Sequence, residues 1–570
     1  MFESFRQSMT WLHTWYGLVL GYILMVVFFF GTLSVFDREI DRWAIPETRF
    51  EPQPMPSFDD MLLPILETVE PSEANYNAQM PFLHDSSKGP MTPRLELPAE
   101  EYWAYTTHRD PVLIMGAGFG VPHPKDPDGH NHVHGNITID PRSGTIVSDD
   151  ALKIGSRWFY PMHYGLHLGW KNLGYWLVGL ASFTMLIALV TGIVMHRKVF
   201  REFFTFRPHK KTQRSALDLH NMTGVLALPF HFFFSFTGLV IFASWLYFPV
   251  ADTLLKPLHN RHEVVEAEKT GLPHKRAGIP AGLASVDAMV TQAKSRWAER
   301  GMAGEVGFLT ITHFGDQNGY VSIFRAGSDR VALVGEGIHF KASTGALLRE
   351  DPPRSAVASI NEFLTGLHLQ HFEHWLLRWL YVLGGLFGCV CIATGFVFFV
   401  EKRKQRYAQK GSQRIRLVDS IAVATVTGLL IASTGMLVAN RLIPADLAGR
   451  DSWEKWAFWG FWLFSLLHAL VRSAPVAKGQ MNPAWREQCF IIGALALSAV
   501  GLNWLTTGDH LLKTLFTDTY WPVAGVDLSL LVTAGVSLLV SRKLKLHKEV
   551  QQASEQTNET MSKGAEVVHV

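Results

Sequence analysis

Residues 12–36, LHTWYGLVLGYILMVVFFFGTLSVF, and residues 219–242, LHNMTGVLALPFHFFFSFTGLVIF, are two copies of one apolar segment. Each opens on a histidine (His13, His220), with one glycine following it (Gly17, Gly224) and a second deeper in the run (Gly31, Gly238). An ionisable side chain inside lipid is costly and usually functional. A histidine kept in both copies of a membrane segment therefore points to a site built across the repeat. His231 lies inside the second copy only, where the first has Leu24.

Composition fixes the class. Of 570 residues, 48% are hydrophobic and only 18% charged, which describes a polytopic membrane protein. A net charge of +2, with lysine and arginine clustered in short loops, gives no basis for nucleic-acid binding. Runs long enough to cross a core of about 30 Å occur near 10–36, 173–197, 218–245, 375–400, 417–440, 455–472, 486–505 and 522–541. The first is too long for a signal peptide, lacks a small-x-small cleavage site and carries His13. The basic stretches 196–214 (HRKVFREFFTFRPHKKTQR), 401–416 (EKRKQRYAQKGSQRIR) and 541–549 (SRKLKLHKE) fall on one side. Both termini are thus expected in the cytoplasm.

Two hydrophilic regions must then face outward. Both contain a strand-turn-strand pattern, HVHGNITIDPRSGTIVSDD at 132–150 and GIHFKASTGALLRED at 337–351, with turns at S-G and T-G. Each is followed by a helical run with the tetrapeptide G-L-H-L, at 165–168 and 366–369, so the unit of helix, outer domain and helix occurs twice.

The two L-H-x-x-x-G helices, the D-P-x-S-G-x-I hairpin and the G-L-H-L helices resemble the PepSY-associated transmembrane helix family of bacterial inner-membrane proteins, which includes ferric-siderophore reductases. The likeness covers roughly residues 5–402. The expected fold is a mainly α-helical polytopic membrane protein of about eight transmembrane helices with two periplasmic α/β PepSY-like domains. The division is 1–36 (first span), 37–160 (first outer domain), 161–197 (second span), 198–217 (basic loop) and 218–249 (third span). It continues through 250–366 (second outer domain), 367–401 (fourth span), 402–416 (basic loop), 417–541 (four additional helices) and 542–570 (cytoplasmic tail). The resemblance implies a heme-binding core and one-electron reduction of a ferric substrate on the periplasmic side.

Imidazole is a standard axial ligand of heme iron, and two imidazoles leave no open position, which suits electron transfer. The repeat pairs His13 with His220 near the inner ends and His167 with His368 near the outer ends, an arrangement for two hemes. No Cys-x-x-Cys-His attachment signature occurs, so the expected cofactor is heme b, and Cys389, Cys391 and Cys489 all lie in apolar segments. His163, His371 and His374 are alternatives on the outer side and His196 on the inner side. In a straight helix His231 would stand about 16 Å beyond His220 on the same face, mid-membrane, where it is a further alternative ligand for a second heme or a packing residue. His468 has no evident partner histidine and reads as a core or interface residue.

In the stretch GHNHVHG, His130, His132 and His134 alternate, so on a strand they share one face and are candidate ligands for copper, zinc or iron. The glycines of GAGFG at 116–120 lack the strand-to-helix context of a dinucleotide loop. No inner loop is long enough for a flavin or nicotinamide domain. Electrons are then expected from membrane quinol or from a separate cytoplasmic reductase, with a ferric siderophore or other ferric chelate as acceptor. A homodimer is a further expected partner. A rival reading is a periplasmic-facing copper or iron binding or transport protein without heme; a third is a regulatory membrane protein whose outer domains bind a peptide.

Overall fold

The structure is a computed structural model. It describes residues 4–70, 99–106, 110–120, 132–147, 153–196, 205–208, 210–243, 271–273, 275–332, 337–410 and 413–567, without the side chains of 120, 132, 133 and 546–567. It divides into two compact units. The first comprises Met1–Pro46, Asp150–Phe236 and Leu377–Val570; the second comprises Glu47–Asp149 and Thr237–Leu376.

The first unit is helical. Five helices are long and apolar enough to cross a membrane, and seven spans result if each of two bent pairs counts as one. Eight spans were expected. The stretch 455–472 is helical, within Arg450–Arg472, but Lys455, His468, Arg472 and three tryptophans leave it less apolar than the other spans, and it is not among the five. The two bent pairs are the two repeat copies. Phe5–Val19 joins Gly21–Ser34 at 60°, and Thr212–Leu226 joins Leu228–Phe242 at 65°. Both breaks fall seven residues after the repeated histidine, at Leu20 and Ala227. Pro229 accounts for the second, because its nitrogen cannot donate to the preceding turn. The first has no proline; there Gly21 lets the ring of Phe396 close in, where a Cβ would stand only 3.1 Å away.

The additional helices Arg414–Leu442, Arg450–Arg472, Ala484–Thr507 and Trp521–Val567 pack together around the first of these, 78% of whose apolar window is buried. They are fastened to the short helix Asp37–Ala44. Trp43 donates its indole N–H to Asp527 at 2.8 Å, and Asn503 donates to the other oxygen of that carboxylate at 3.3 Å. Arg441 lies over the Trp43 ring and donates to the carbonyls of Trp43 and Ala44. From the fourth repeat helix, Arg378 donates to Glu39 at 2.8 Å and to the Val35 carbonyl at 2.7 Å. Buried charges this densely hydrogen-bonded fix a register, since removing one partner strands the other.

The second unit holds a seven-stranded antiparallel sheet in the order β3-β2-β1-β4-β5-β6-β7. The strands are β1 Glu101–Tyr105, β2 Leu113–Gly120, β3 His132–Ile139, β4 Val306–Thr312, β5 Tyr320–Arg325, β6 Gly337–Lys341 and β7 Leu347–Glu350. The two expected outer domains thus share one sheet, joined by the antiparallel pairing of β1 with β4, in which Trp103 faces Thr310. The repeats correspond in hydrogen bonding: Asp140 and Gly144 close the first turn as Lys341 and Gly345 close the second, and both glycines have φ of +72°. GAGFG lies in β2, where Gly116 makes room for Trp103. Alternate residues such as Met115, Leu309, Ile323 and Phe340 form the core with helix Val286–Glu299 and the turn Phe58–Leu62.

Those two helical starts cap one another. Asp287 accepts from the Ser57 hydroxyl (2.6 Å) and from the backbone N–H groups of Phe58 (2.8 Å) and Asp59 (3.2 Å). Asp59 accepts from Ser285 (2.6 Å), Val286 (2.9 Å) and Asp287 (3.2 Å). Each carboxylate satisfies N–H groups that a helix start leaves open. Asp287→Ala is expected to destabilise this unit by about 2 kcal/mol, read as faster amide exchange in β1 and β4; unchanged exchange would contradict the reciprocal cap.

His339 on β6 faces Ser322 on β5, with Nδ1 2.7 Å from the hydroxyl and Nε2 3.3 Å from Asp351. Burial holds its pKa below the ordinary 6.5, against the attraction of Asp351 and with Arg349 adding to the depression. The unfolded chain therefore takes up this proton first as pH falls. The stabilising contribution is complete above about pH 6.5 and shrinks as pH drops through the lowered value. Thermal unfolding is expected to show that slope, reduced in His339→Gln.

Candidate functional site

In the first unit the rings of His13 and His220 stand 6.2 Å apart, centre to centre, with planes at 84°. Each is held by the helix that closes its own repeat. His13 Nδ1 is 3.1 Å from the Ala188 carbonyl and 3.2 Å from the Thr191 hydroxyl, while His220 Nδ1 is 2.7 Å from the Cys391 carbonyl. The anchors correspond in the repeat: Ala188, Thr191 and Gly192 match Cys391, Thr394 and Gly395. The two glycines let the rings approach, since a Cβ at either would lie 3.4 Å from the imidazole. Thr191 and Thr394 bond back to the same carbonyls, at 3.2 and 3.0 Å.

Because a carbonyl only accepts, Nδ1 is the protonated nitrogen in both rings. Nε2 is then a lone-pair donor, and in both rings the described hydrogen bonds run through Nδ1 alone. A metal-ligating histidine is normally oriented in this way by its other nitrogen. Bonds of about 2 Å from one metal to each imidazole, plus ring-nitrogen to ring-centre distances, separate the two centres by about 6 Å. The observed spacing fits one metal between two imidazoles. It also lies within the range of an ordinary edge contact, so the matched carbonyl anchors carry the distinction.

At the other end the structure departs from the repeat. His368 lies on the helix Ala356–Leu369, with Nδ1 2.8 Å from the Thr237 hydroxyl and its ring against Gly238. His167 was expected to match it. Instead the helix Tyr160–Gly165 ends two residues earlier, and Leu166 and His167 take φ values of +53° and +51°. His167 is stacked on Trp158 at 4.0 Å and its Nε2 meets the Trp158 carbonyl at 2.9 Å. The environment of His368 is reproduced by His163, whose ring lies against Gly31, the counterpart of Gly238, and whose Nδ1 meets the Val27 carbonyl at 2.8 Å.

The other histidines are dispersed. His196 caps helix Leu173–Met195, bonding through its N–H to Gly192 beside His13. The bend at Ala227 removes the straight-helix relation between His220 and His231. His231 is fully buried, edge-on to Phe28 at 5.5 Å, and neither ring nitrogen has a hydrogen-bond partner of normal geometry. His371 and His374 are exposed between helices Ala356–Leu369 and Trp375–Gln409. His468 meets Glu487 at 3.1 Å and Gln488 at 3.3 Å. His130 lies outside the described residues, as does the side chain of His132, and His134 rests edge-on against Trp103 at 5.3 Å. Among the described residues no group of three or more His, Cys, Asp or Glu could hold a metal ion.

The sequence model of the PepSY-associated TM region family matches residues 10–402. The chain belongs to this family. The match spans both copies of the repeat and stops before the four additional helices. The chain is also similar to Uncharacterized protein PA4219 of Pseudomonas aeruginosa, 26% identical over 305 residues, covering 50% of this chain and 72% of that protein. As a member of the PepSY-associated TM region family it is a multi-pass membrane protein.

Proposed function

We propose that the chain is a di-heme b-type transmembrane electron-transfer protein that reduces a ferric chelate, of the ferric-siderophore class, on the outer side of the bacterial inner membrane. The observation that supports this most directly is the His13–His220 pair: two imidazoles from equivalent points of a repeat, 6.2 Å apart, each anchored through Nδ1 to a carbonyl. Heme b held by two imidazoles supplies one-electron transfer without an open coordination position. His13 and His220 would hold the inner group, with Ala188 and Cys391 fixing which ring nitrogen faces it. His163 is the residue of the helical unit proposed for the outer group, with His231 the buried reserve. Lysine- and arginine-rich loops put both termini in the cytoplasm on this reading. Reduction to the ferrous state weakens binding by hard oxygen donors, which empties a siderophore.

The test is an absorption spectrum of the detergent-purified protein, oxidised and dithionite-reduced, with pyridine hemochrome quantification. About two b-type hemes per chain, reoxidised by a ferric siderophore, is the expected result. Heme-free protein from heme-replete cells would overturn the proposal and favour a heme-independent metal-binding role.

A further inference from the structure

Helix Ala356–Leu369 of the second unit is amphipathic, and its apolar side faces outward. At about 100° per residue, Val357, Ile360, Phe363, Leu364 and Leu367 share one side of it, and Ala358, Glu362, Thr365 and Gly366 lie on the other. A helix on the surface of a soluble domain turns its apolar side to the core. Here Val357, Ile360 and Phe363 are 78%, 61% and 47% exposed, while Gly366 is buried and Glu362, on the covered side, pairs with Arg354 at 2.8 Å. The element is fixed at both ends. The Ser355 hydroxyl accepts from the Ala358 N–H at 3.3 Å, and Gln370, at φ +57°, closes the last turn by donating to the Gly366 carbonyl.

The repeat shows what this side is for. Aligning the two G-L-H-L tetrapeptides puts Ile360 opposite Phe159 and Phe363 opposite Met162. In the first copy those two residues are each 1% exposed, in a core that includes Phe30 and, from the additional helix Arg450–Arg472, Phe458. The second copy has kept the positions apolar and, among the described residues, has no such cover on them. An apolar face of this kind marks a contact with membrane or protein.

The bilayer is the occupant that fits. Fourteen residues span about 21 Å, too short to cross an apolar core of about 30 Å. Five residues further on, the chain enters Trp375–Gln409, which is long and apolar enough to cross. Exposed apolar residues run on without interruption of kind from this helix into that span, through Trp375, Leu376, Trp379, Leu380 and Leu383. Tryptophan at the entry of a span is an interface residue, and the exposed side of Ala356–Leu369 carries no charged residue.

We propose that helix Ala356–Leu369 lies along the membrane–water interface, with Val357, Ile360 and Phe363 in the lipid, as a seat for the second unit. An interfacial helix buries its apolar face about 5–10 Å into the headgroup boundary. His368, held through Nδ1 by the Thr237 hydroxyl at 2.8 Å, is then carried at headgroup depth at the end of this seat. The seat is independent of the di-heme reading and stands or falls without it.

Two experiments on the full-length protein in lipid nanodiscs test it. Nitroxide labels are placed by Val357→Cys, Ile360→Cys, Phe363→Cys and, on the polar flank, Ser359→Cys; the native cysteines are all buried. Collision with oxygen is expected to exceed collision with the water-soluble nickel chelate NiEDDA several-fold at 357, 360 and 363, and the order should reverse at 359. NiEDDA dominating at all four positions means that the face is in water and overturns the seat. Low collision with both reagents at 357, 360 and 363 means that a second copy or another protein covers the face, which overturns it equally. The wild-type protein supplies the second reading: a lipid-soluble aryl diazirine should label Val357, Ile360 and Phe363 in the tryptic peptide 355–378. Label confined to Trp375 and beyond overturns the proposal, whatever the heme content of the preparation.

Discussion

Replacing His220 with alanine is expected to lower heme content from about two to about one per chain, with the protein still inserted and folded. The ring is held by a single strong anchor, the 2.7 Å bond from Nδ1 to the Cys391 carbonyl, and it faces His13 across 6.2 Å. Removing the imidazole takes away one of two axial positions and leaves a gap that water can enter, which no neighbouring ring fills: His231 lies beyond the 65° bend. His13→Ala should have the same effect, because the pair acts as one unit, and the double variant should lose no more heme than either single one. Pyridine hemochrome quantification reads this directly. Full heme in both single variants would show that the 6.2 Å spacing is an edge contact between two packed rings and nothing more.

Which of these features could be read without coordinates follows from the range of the forces involved. The apolar runs and the turns at Gly144 and Gly345 are local: about twenty apolar residues make a span, and a positive-φ glycine makes the turn. The continuity of the sheet is not local. The register joining β1 to β4 depends on two strands about two hundred residues apart in sequence meeting. The S-x-D pairs at 57–59 and 285–287 were a visible sign of it, since a serine cap followed by an acid at equivalent points is what reciprocal capping needs. Likewise the T-G pairs at 191–192 and 394–395 marked the turns that hold the histidine rings. The bend after Leu20 carried no proline, so only its proline-bearing counterpart was readable.

The antiparallel connectivity also changes the character of the outer unit. Helices pack on one face of a continuous sheet, so the repeat is stabilised as a pair and neither half has its own closed core. Fusing the halves this way places the start of each capping helix under the control of the other repeat, through Asp59 and Asp287.

His163→Ala is expected to remove the outer heme while His167→Ala retains it, the reverse of what the G-L-H-L repeat alone implies. The repeat aligns His167 with His368, but alignment preserves a side-chain direction only while the backbone stays helical. The left-handed residues Leu166 and His167 end the helix one residue after Gly165, and a close approach fixes that reversal: a Cβ on Gly174 would collide with the Gly165 carbonyl. Thrown off the helix, His167 spends its ring face on Trp158 and its Nε2 on the Trp158 carbonyl. That nitrogen donates to a carbonyl, which leaves the lone pair on Nδ1, in a ring already stacked on Trp158, whereas His163, one turn back, keeps Nδ1 on Val27 and so has Nε2 as its lone-pair nitrogen. Heme content should fall by about half in His163→Ala and stay at the wild-type value in His167→Ala. Thermal unfolding separates the roles further, since losing the Trp158 stack costs about 1 kcal/mol without changing the spectrum. A His167→Ala protein with half its heme and a His163→Ala protein with all of it would restore the assignment by sequence position, and would require the reversal at 166–167 to straighten when heme binds.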